Sequence, residues 1–406
     1  MYELFARGPR ISIFAACALV MGALAIGALA TSPSAAIAQP APAVASLDSV
    51  SSEASRYSIL ADALWAMGLD DVPEPLDVAQ AAVAANPDSA EAHLRFGLAI
   101  RLATPQAVSL AKYQYGEALR LDPKLLRAYA LLGEVLSDEG DAAGVEQNYR
   151  TWLALAPKDP RAQLSYAVAL GSLGRLPEAG EALERSLALG PTAPAYVLRA
   201  LKARGDPRDA VLADLDKAVA VGGGEARVYR WRARIRWEWG ENDLALAEVA
   251  KALDHAPGSF GLRQLRGEIN SDAGRPDLAI AEFDALIALQ PAWPDLVNAR
   301  CWARAKAGVE LQKALVDCDT VLGWEPTRPE ALDSRGLVKL RLGDLGGAIA
   351  DYDAALTEDP ELATALFGRG LARRRSGAAG GDADLDRARA VEPGIDKRFA
   401  DFGLAP

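Results

Sequence analysis

Histidine is nearly absent from this chain: 406 residues carry two, His93 and His255. Imidazole-based metal sites and Ser-His-Asp triads both need histidine beside further ligands or a nucleophile, so that chemistry has almost no material to work with. His93 falls inside a helical stretch and His255 just before Pro257, positions that read as structural or exposed. No Gly-rich loop ends in Lys-Ser or Lys-Thr, and no Gly-x-Ser-x-Gly elbow occurs. Gly222-Gly223-Gly224 is followed by Glu225 and Ala226 rather than by a phosphate-binding lysine, and reads as a turn. A basic excess is missing too. With 55 acidic and 44 basic residues the net charge is −11, which argues against a nucleic-acid surface and predicts solubility. Paired acids such as Asp70-Asp71 and Glu358-Asp359 sit at turns and read as solvated surface. No catalytic residue, no metal site and no cofactor are expected.

Long apolar runs are confined to the N-terminus. Arg7 and Arg10 precede an uncharged run from Ile11 to Ala30, and Ala36-Ile37-Ala38 offers small residues at the spacing a signal peptidase reads. Residues 1–38 therefore read as a cleavable signal peptide, which gives a periplasmic protein without a membrane span after cleavage. The rival is an uncleaved inner-membrane anchor over residues 11–30, just long enough to span. Loss of Glu3, Arg7 and Arg10 leaves a mature net charge of about −12. Residues 39–55, Pro-Ala-Pro-Ala and then Ser-rich, read as a flexible linker.

What is abundant is Ala and Leu, residues that lose little rotamer freedom in a helix, in a chain that is 50% hydrophobic and 6% aromatic. From residue 56 onward the organisation is periodic. Prolines recur at Pro87, Pro123, Pro157, Pro191, Pro257, Pro291, Pro326, Pro360 and Pro393, spaced by 33 to 36 residues apart from the gap between Pro191 and Pro257, which holds two units if Gly222 stands in. A period near 34 with two helical stretches per unit predicts a helical repeat array of about ten units over residues 56–393, the first degenerate. In one unit Tyr129, Leu132, Gly133 and Leu136 share a face, Gly140 stops the first helix, Tyr149 and Trp152 lead the second inward, and Pro157 closes it. The same grammar returns as Gly267, Gly274, Ala279, Phe283 and Pro291, and as Gly336, Gly343, Ala348, Tyr352 and Pro360. Residues 394–406 read as a C-terminal cap, with Ile395, Phe399 and Phe402 covering the apolar end and Asp396, Lys397 and Asp401 facing water.

These residues resemble the tetratricopeptide repeat (TPR) signature from about Ser58 to Pro393. The C-terminal segments Asn298–Trp302, Asp333–Gly336, Leu366–Gly370 and Arg398–Gly403 are also similar to exported alphaproteobacterial TPR proteins. The resemblance implies an all-α, right-handed superhelical solenoid whose concave groove holds a protein or peptide. Arg232, Arg266 and Arg335 depart from it, standing where the family prefers a large apolar residue. The resemblance also places Cys301 and Cys318 on facing sides of one unit. In an oxidising compartment they form a disulfide; the alternative is two small buried apolar residues.

One helix stands out in an acidic chain. Arg227, Arg230, Arg232, Arg234 and Arg236 alternate with Tyr229, Trp231, Trp237 and Trp239. Helical spacing puts Arg227, Arg230, Arg234 and Trp237 on one face, which the family turns toward the groove. That face suits an acidic peptide, with bidentate guanidinium pairing and stacking on Trp237. Equally, the arginines pair with Glu225, Glu238, Glu241 and Asp243 as a salt-bridged helix. The function expected is an exported scaffold or adaptor without catalysis. The alternatives are a self-associating structural protein, or a non-catalytic subunit of an envelope enzyme or secretion complex.

Overall fold

The computed structural model describes residues 76–103, 107–202, 207–222 and 225–405. The segments read as signal peptide, linker and opening of the first repeat, as well as Gly223 and Gly224, lie outside the described residues. Among the described residues there are twenty helices and no strand. A single helix, α1 (Leu76–Ala85), precedes nine helix pairs. The pairs are α2 (Ala90–Ala103) with α3 (Val108–Leu121), α4 (Leu126–Asp138) with α5 (Ala142–Leu155), and α6 (Pro160–Ser172) with α7 (Leu176–Leu189). Next come α8 (Ala193–Lys202) with α9 (Arg208–Val221), α10 (Ala226–Glu238) with α11 (Asn242–His255), and α12 (Phe260–Asp272) with α13 (Pro276–Leu289). The last are α14 (Pro294–Ala307) with α15 (Leu311–Trp324), α16 (Pro329–Leu342) with α17 (Leu345–Glu358), and α18 (Ala363–Ser376) with α19 (Gly381–Val391). A short α20 (Ile395–Asp401) follows.

The punctuation is local chemistry. Second helices end two residues before Pro123, Pro157, Pro191, Pro257, Pro291, Pro326, Pro360 and Pro393, because proline has no N–H to give and pushes the residue before it out of the helical region. Within a pair, Gly140, Gly274 and Gly343 take φ of 70°, 70° and 83°, the left-handed cap that ends the first helix. Asp141 and Asp344 then open the following helices by accepting from the amides of Gly144 and Gly347, each at 2.9 Å.

The described residues divide into two compact units, one ending at Trp231 and the other beginning at Arg232, so the break falls within α10. In the first, Leu94, Tyr115, Leu131, Tyr149 and Trp152 are buried, and the Tyr149 and Trp152 rings stack with centroids 6.0 Å apart. In the second, the largest cluster runs from Val297 through Tyr352 and Phe367 to Phe399 and Leu404. Close helix approach there depends on Gly336. A methyl group on it would sit 2.7 Å from Tyr352 Cε1, so any side chain displaces the fully buried ring.

The arginines that depart from the family pattern have a physical explanation. Each lies on a first helix and reaches an acid on the second helix of its own pair. Arg335 donates from Nε and Nη2 to Asp351 at 2.9 and 2.7 Å, Arg266 Nε donates to Glu282 at 2.9 Å, and Arg232 lies 3.4 Å from Glu248. Arg300 pairs in the same way with Asp317 and Arg369 with Asp384. Three of these arginines also reach an exposed acid on the second helix of the preceding pair: Arg300 with Asp284 at 2.6 Å, Arg335 with Asp319 at 2.9 Å, Arg369 with Asp353 at 2.7 Å. The first unit holds one rung of the same design, Arg199 between Asp214 and Glu184. Burial alone would raise the Asp214 carboxyl, but the hydrogen bonds and charge of Arg199 outweigh it and hold the group below the usual carboxylate range. Planar forks matched to carboxylates fix the angle within a pair and between neighbours more tightly than apolar contact does.

Candidate functional site

The arginine-rich helix α10 is divided by its neighbours into different environments. Arg227 and Arg230 are half-buried in the unit that ends at Trp231, while Arg234 is exposed at the start of the other. Trp237 is anchored. Its indole N–H donates to Asp272 Oδ2 at 2.9 Å, and its ring packs on the cluster of Ala233, Ala245, Val249, Leu265 and Ile269. Of the acids the sequence offered as local partners, Glu241 accepts from Arg236 at 2.9 Å, and Asp243 pairs with Arg275 rather than with α10.

Counting back from the glycine that closes each first helix sets the register of one face. Two residues before that glycine stand Asp272, Lys306 and Arg341, on α12, α14 and α16. Lys306 Nζ lies 2.5 Å from Asp272 Oδ1. Burial pushes the Lys306 ammonium down, and Asp272 opposes the shift. Arg341 lies against Gly308 and donates from Nη2 to the Lys306 carbonyl at 2.7 Å. That same nitrogen donates to the main-chain carbonyl of Phe402.

Phe402 was expected to cover the apolar end of the array together with Ile395 and Phe399. Ile395 and Phe399 are buried there, with Phe399 4.5 Å from the Phe367 ring. Phe402 reaches further back. Its ring meets Trp302 of α14 edge to face at 5.9 Å, with Lys306 Nζ 5.7 Å from its centroid. Sequence reasoning missed this contact because its partners are a hundred residues apart.

Near the same face, Asp333 of α16 is buried and accepts from Thr364 Oγ1 at 2.5 Å. Burial pushes its carboxyl up to about 7, against the pull of the Thr364 hydrogen bond and the Arg398 charge. A folded-state value above the unfolded one means that the folded chain holds the extra proton, so this group's contribution is fully present at low pH and is lost as pH rises through about 7. Between pH 5 and 8 the loss is on the order of 2 kcal/mol. Asp333→Asn is expected to remove that slope, with a melting temperature gain over the parent that is larger at pH 8 than at pH 5 in parallel thermal scans.

Cys301 of α14 and Cys318 of α15 are joined, both fully buried, with Cα atoms 5.8 Å apart. His93 is buried between Gln114 Oε1 of α3, 2.6 Å from Nδ1, and the carbonyl of Pro87 in the turn before α2, 2.9 Å from Nε2, so it ties α2 to α3 on one side and to the preceding turn on the other. Among the described residues no cluster of three or more His, Cys, Asp or Glu side chains is placed to hold a metal ion, and no helix is long and apolar enough to cross a membrane.

Residues 132–194 and 334–394 match the tetratricopeptide repeat family model. The class is therefore an all-helical repeat protein among the described residues, with tetratricopeptide-type helix pairs in each of the two matched stretches. No match was found among curated proteins. Among solved structures, the APC/C hetero-tetramer Cut9–Hcn1 is similar in fold, with a TM-score of 0.51 at 15% identity over 83% of this chain and 63% of that one. The chain thus spans less than two thirds of that relative's length. Yeast Tom70 aligns with a TM-score of 0.47 at 14% identity, over 86% of each chain. PilW, a type IV pilus biogenesis factor, aligns with a TM-score of 0.42 at 19% identity, over 52% of this chain and 98% of its own.

Proposed function

We propose that this chain is an exported, non-catalytic scaffold that holds a protein or peptide partner, acidic in character, on the face lined by its first helices. What supports export is Arg7 and Arg10, the apolar run from Ile11 to Ala30 and the small residues at 36–38, the pattern of a cleavable signal peptide that would leave the mature protein periplasmic. The observation that carries the holding role is α10, where Arg227, Arg230 and Arg234 share one helical face of a repeat whose backbone is fixed by ion pairs on its other side. Rigid helices presenting guanidinium groups suit capture of carboxylates at little cost in ordering. Cross-linking followed by recovery from the periplasm tests this. Arg230→Glu with Arg234→Glu is expected to reduce recovery of a reproducible partner about tenfold or more, the scale of a binding hot spot. Unchanged recovery overturns the assignment of the site.

A further inference from the structure

The row of side chains two residues before each closing glycine continues past Arg341. On α18 it reaches Arg375, two before Gly377, so the row reads Asp272, Lys306, Arg341, Arg375. Asp272 and Lys306 neutralise each other at 2.5 Å. The two arginines have no such answer. Among the described residues neither makes an ion pair, and Arg341 Nε is buried without a hydrogen-bond partner. Burial and the charge of Arg375 push the Arg341 guanidinium down, so the two groups lie close enough to repel one another. Arg341 Nη2 caps the main-chain carbonyls of Lys306 and Phe402, which fixes the half-buried guanidinium in place and adds no negative charge. Arg375 is exposed.

Other arginine pairs in this unit show what is missing. Arg300 and Arg304 meet Asp317 and Asp284. Arg369 and Arg373 meet Asp384 and Asp353. Two guanidinium groups thus face at least two carboxylates each time. Arg341 and Arg375 face none, in a chain whose net charge is −11. A half-buried cation beside a like charge is costly to hold, and an anion that bridges both lowers that cost.

We propose that Arg341 and Arg375 form a binding site for a phosphate dianion, free or carried as a monoester by a small molecule. Charge selects the ligand. Phosphate is close to a dianion at neutral pH and matches the pair as two carboxylates do elsewhere, whereas a single carboxylate leaves one positive charge unanswered. Its oxygens point in several directions, so they accept from guanidinium groups on two different helices. The site is built by α16 and α18 and does not use α10, so it stands or falls independently of the charge reversal at Arg230 and Arg234.

Isothermal titration of the full chain with inorganic phosphate, at neutral pH and constant ionic strength, tests the assignment. The parent is expected to bind a single phosphate, and Arg375→Ala to bind it about tenfold or more weakly, the scale of one lost charge-assisted contact. Arg375 makes no hydrogen bond or ion pair among the described residues, so its loss leaves the fold intact, which a circular dichroism melt checks. Arg374→Ala is the control. It removes the same charge one residue away, from a side chain paired with Asp382 at 2.5 Å, and is expected to leave phosphate binding unchanged. Sulfate is expected to compete and acetate is not. Glycerol phosphate tells the sources apart: binding of both phosphates marks a phosphoryl group on a larger molecule, and binding of the inorganic ion alone marks the free ion. Absence of binding to either phosphate overturns the proposal, as does equal affinity of parent and Arg375→Ala, an equal loss in Arg374→Ala, or competition by acetate as strong as that by sulfate.

Discussion

Replacing Asp317 by alanine is expected to lower the free energy of unfolding by about 3–5 kcal/mol, the cost of removing one partner from a buried ion network. Asp317 accepts from Arg300 Nε and Nη2 at 3.0 and 2.6 Å and from Arg304 Nη1 at 2.5 Å. The Arg304 and Asp317 side chains are 6% and 7% exposed, so water cannot replace the lost carboxylate. Two guanidinium groups are left, one of them deep in the α14–α15 seam and held otherwise by Glu310 at 3.0 Å. Asp319 offers the control. It bonds Arg335 at 2.9 Å, but its side chain is 54% exposed and Arg335 keeps Asp351, so Asp319→Ala is expected to cost at most about 1 kcal/mol. Urea unfolding of the two variants checks the contrast, with similar slopes and a large midpoint shift only for Asp317→Ala. Equal shifts would mean that burial does not grade the rungs.

That network also marks where sequence reading stopped. The helix pairs were legible because their punctuation is local: proline cannot continue a helix, glycine takes a left-handed cap, and both recur near every 34 residues. Buried second-helix aromatics such as Tyr149, Phe283 and Tyr352 were legible for the same reason, since they follow a small first-helix residue by sixteen positions. The ladder carries an equally regular signal, an acid 15 to 17 residues after Arg199, Arg232, Arg266, Arg300, Arg335 and Arg369. The family pattern hides it, because Arg232, Arg266 and Arg335 stand where it prefers a large apolar residue and the acid that explains each one lies across the turn. Phe402 left no such signal. Its contacts with Trp302 and Arg341 join segments separated by 100 and 61 residues, and only the folded repeat brings them together.

Replacing Cys301 and Cys318 by alanine is expected to cost about 3 kcal/mol, since the bridge closes a 17-residue span and the chain-entropy model assigns that much to a loop of this length. Both sulfurs are buried, so part of the effect is packing. Reductant separates the terms: it should lower the unfolding midpoint of the parent and leave the alanine variant unmoved. Such a bond is favoured in an oxidising compartment, so if the chain is exported as proposed, protein recovered from its own cells without reductant is expected to be lighter by two hydrogens than its reduced form. Two free thiols in that sample would count against the bridge and against the proposed export together. The bridge and the Asp317 network clamp the same two helices, because Cys318 follows Asp317 on α15 while Cys301 lies between Arg300 and Arg304 on α14. Neighbours that share a seam do not add. Once the seam is loosened by loss of the disulfide, Arg304 gains access to water, and leaving it without Asp317 costs less. The triple variant is therefore expected to lose less stability than the separate losses combined, a shortfall that a double-mutant cycle would read as coupling between the covalent and the ionic clamp.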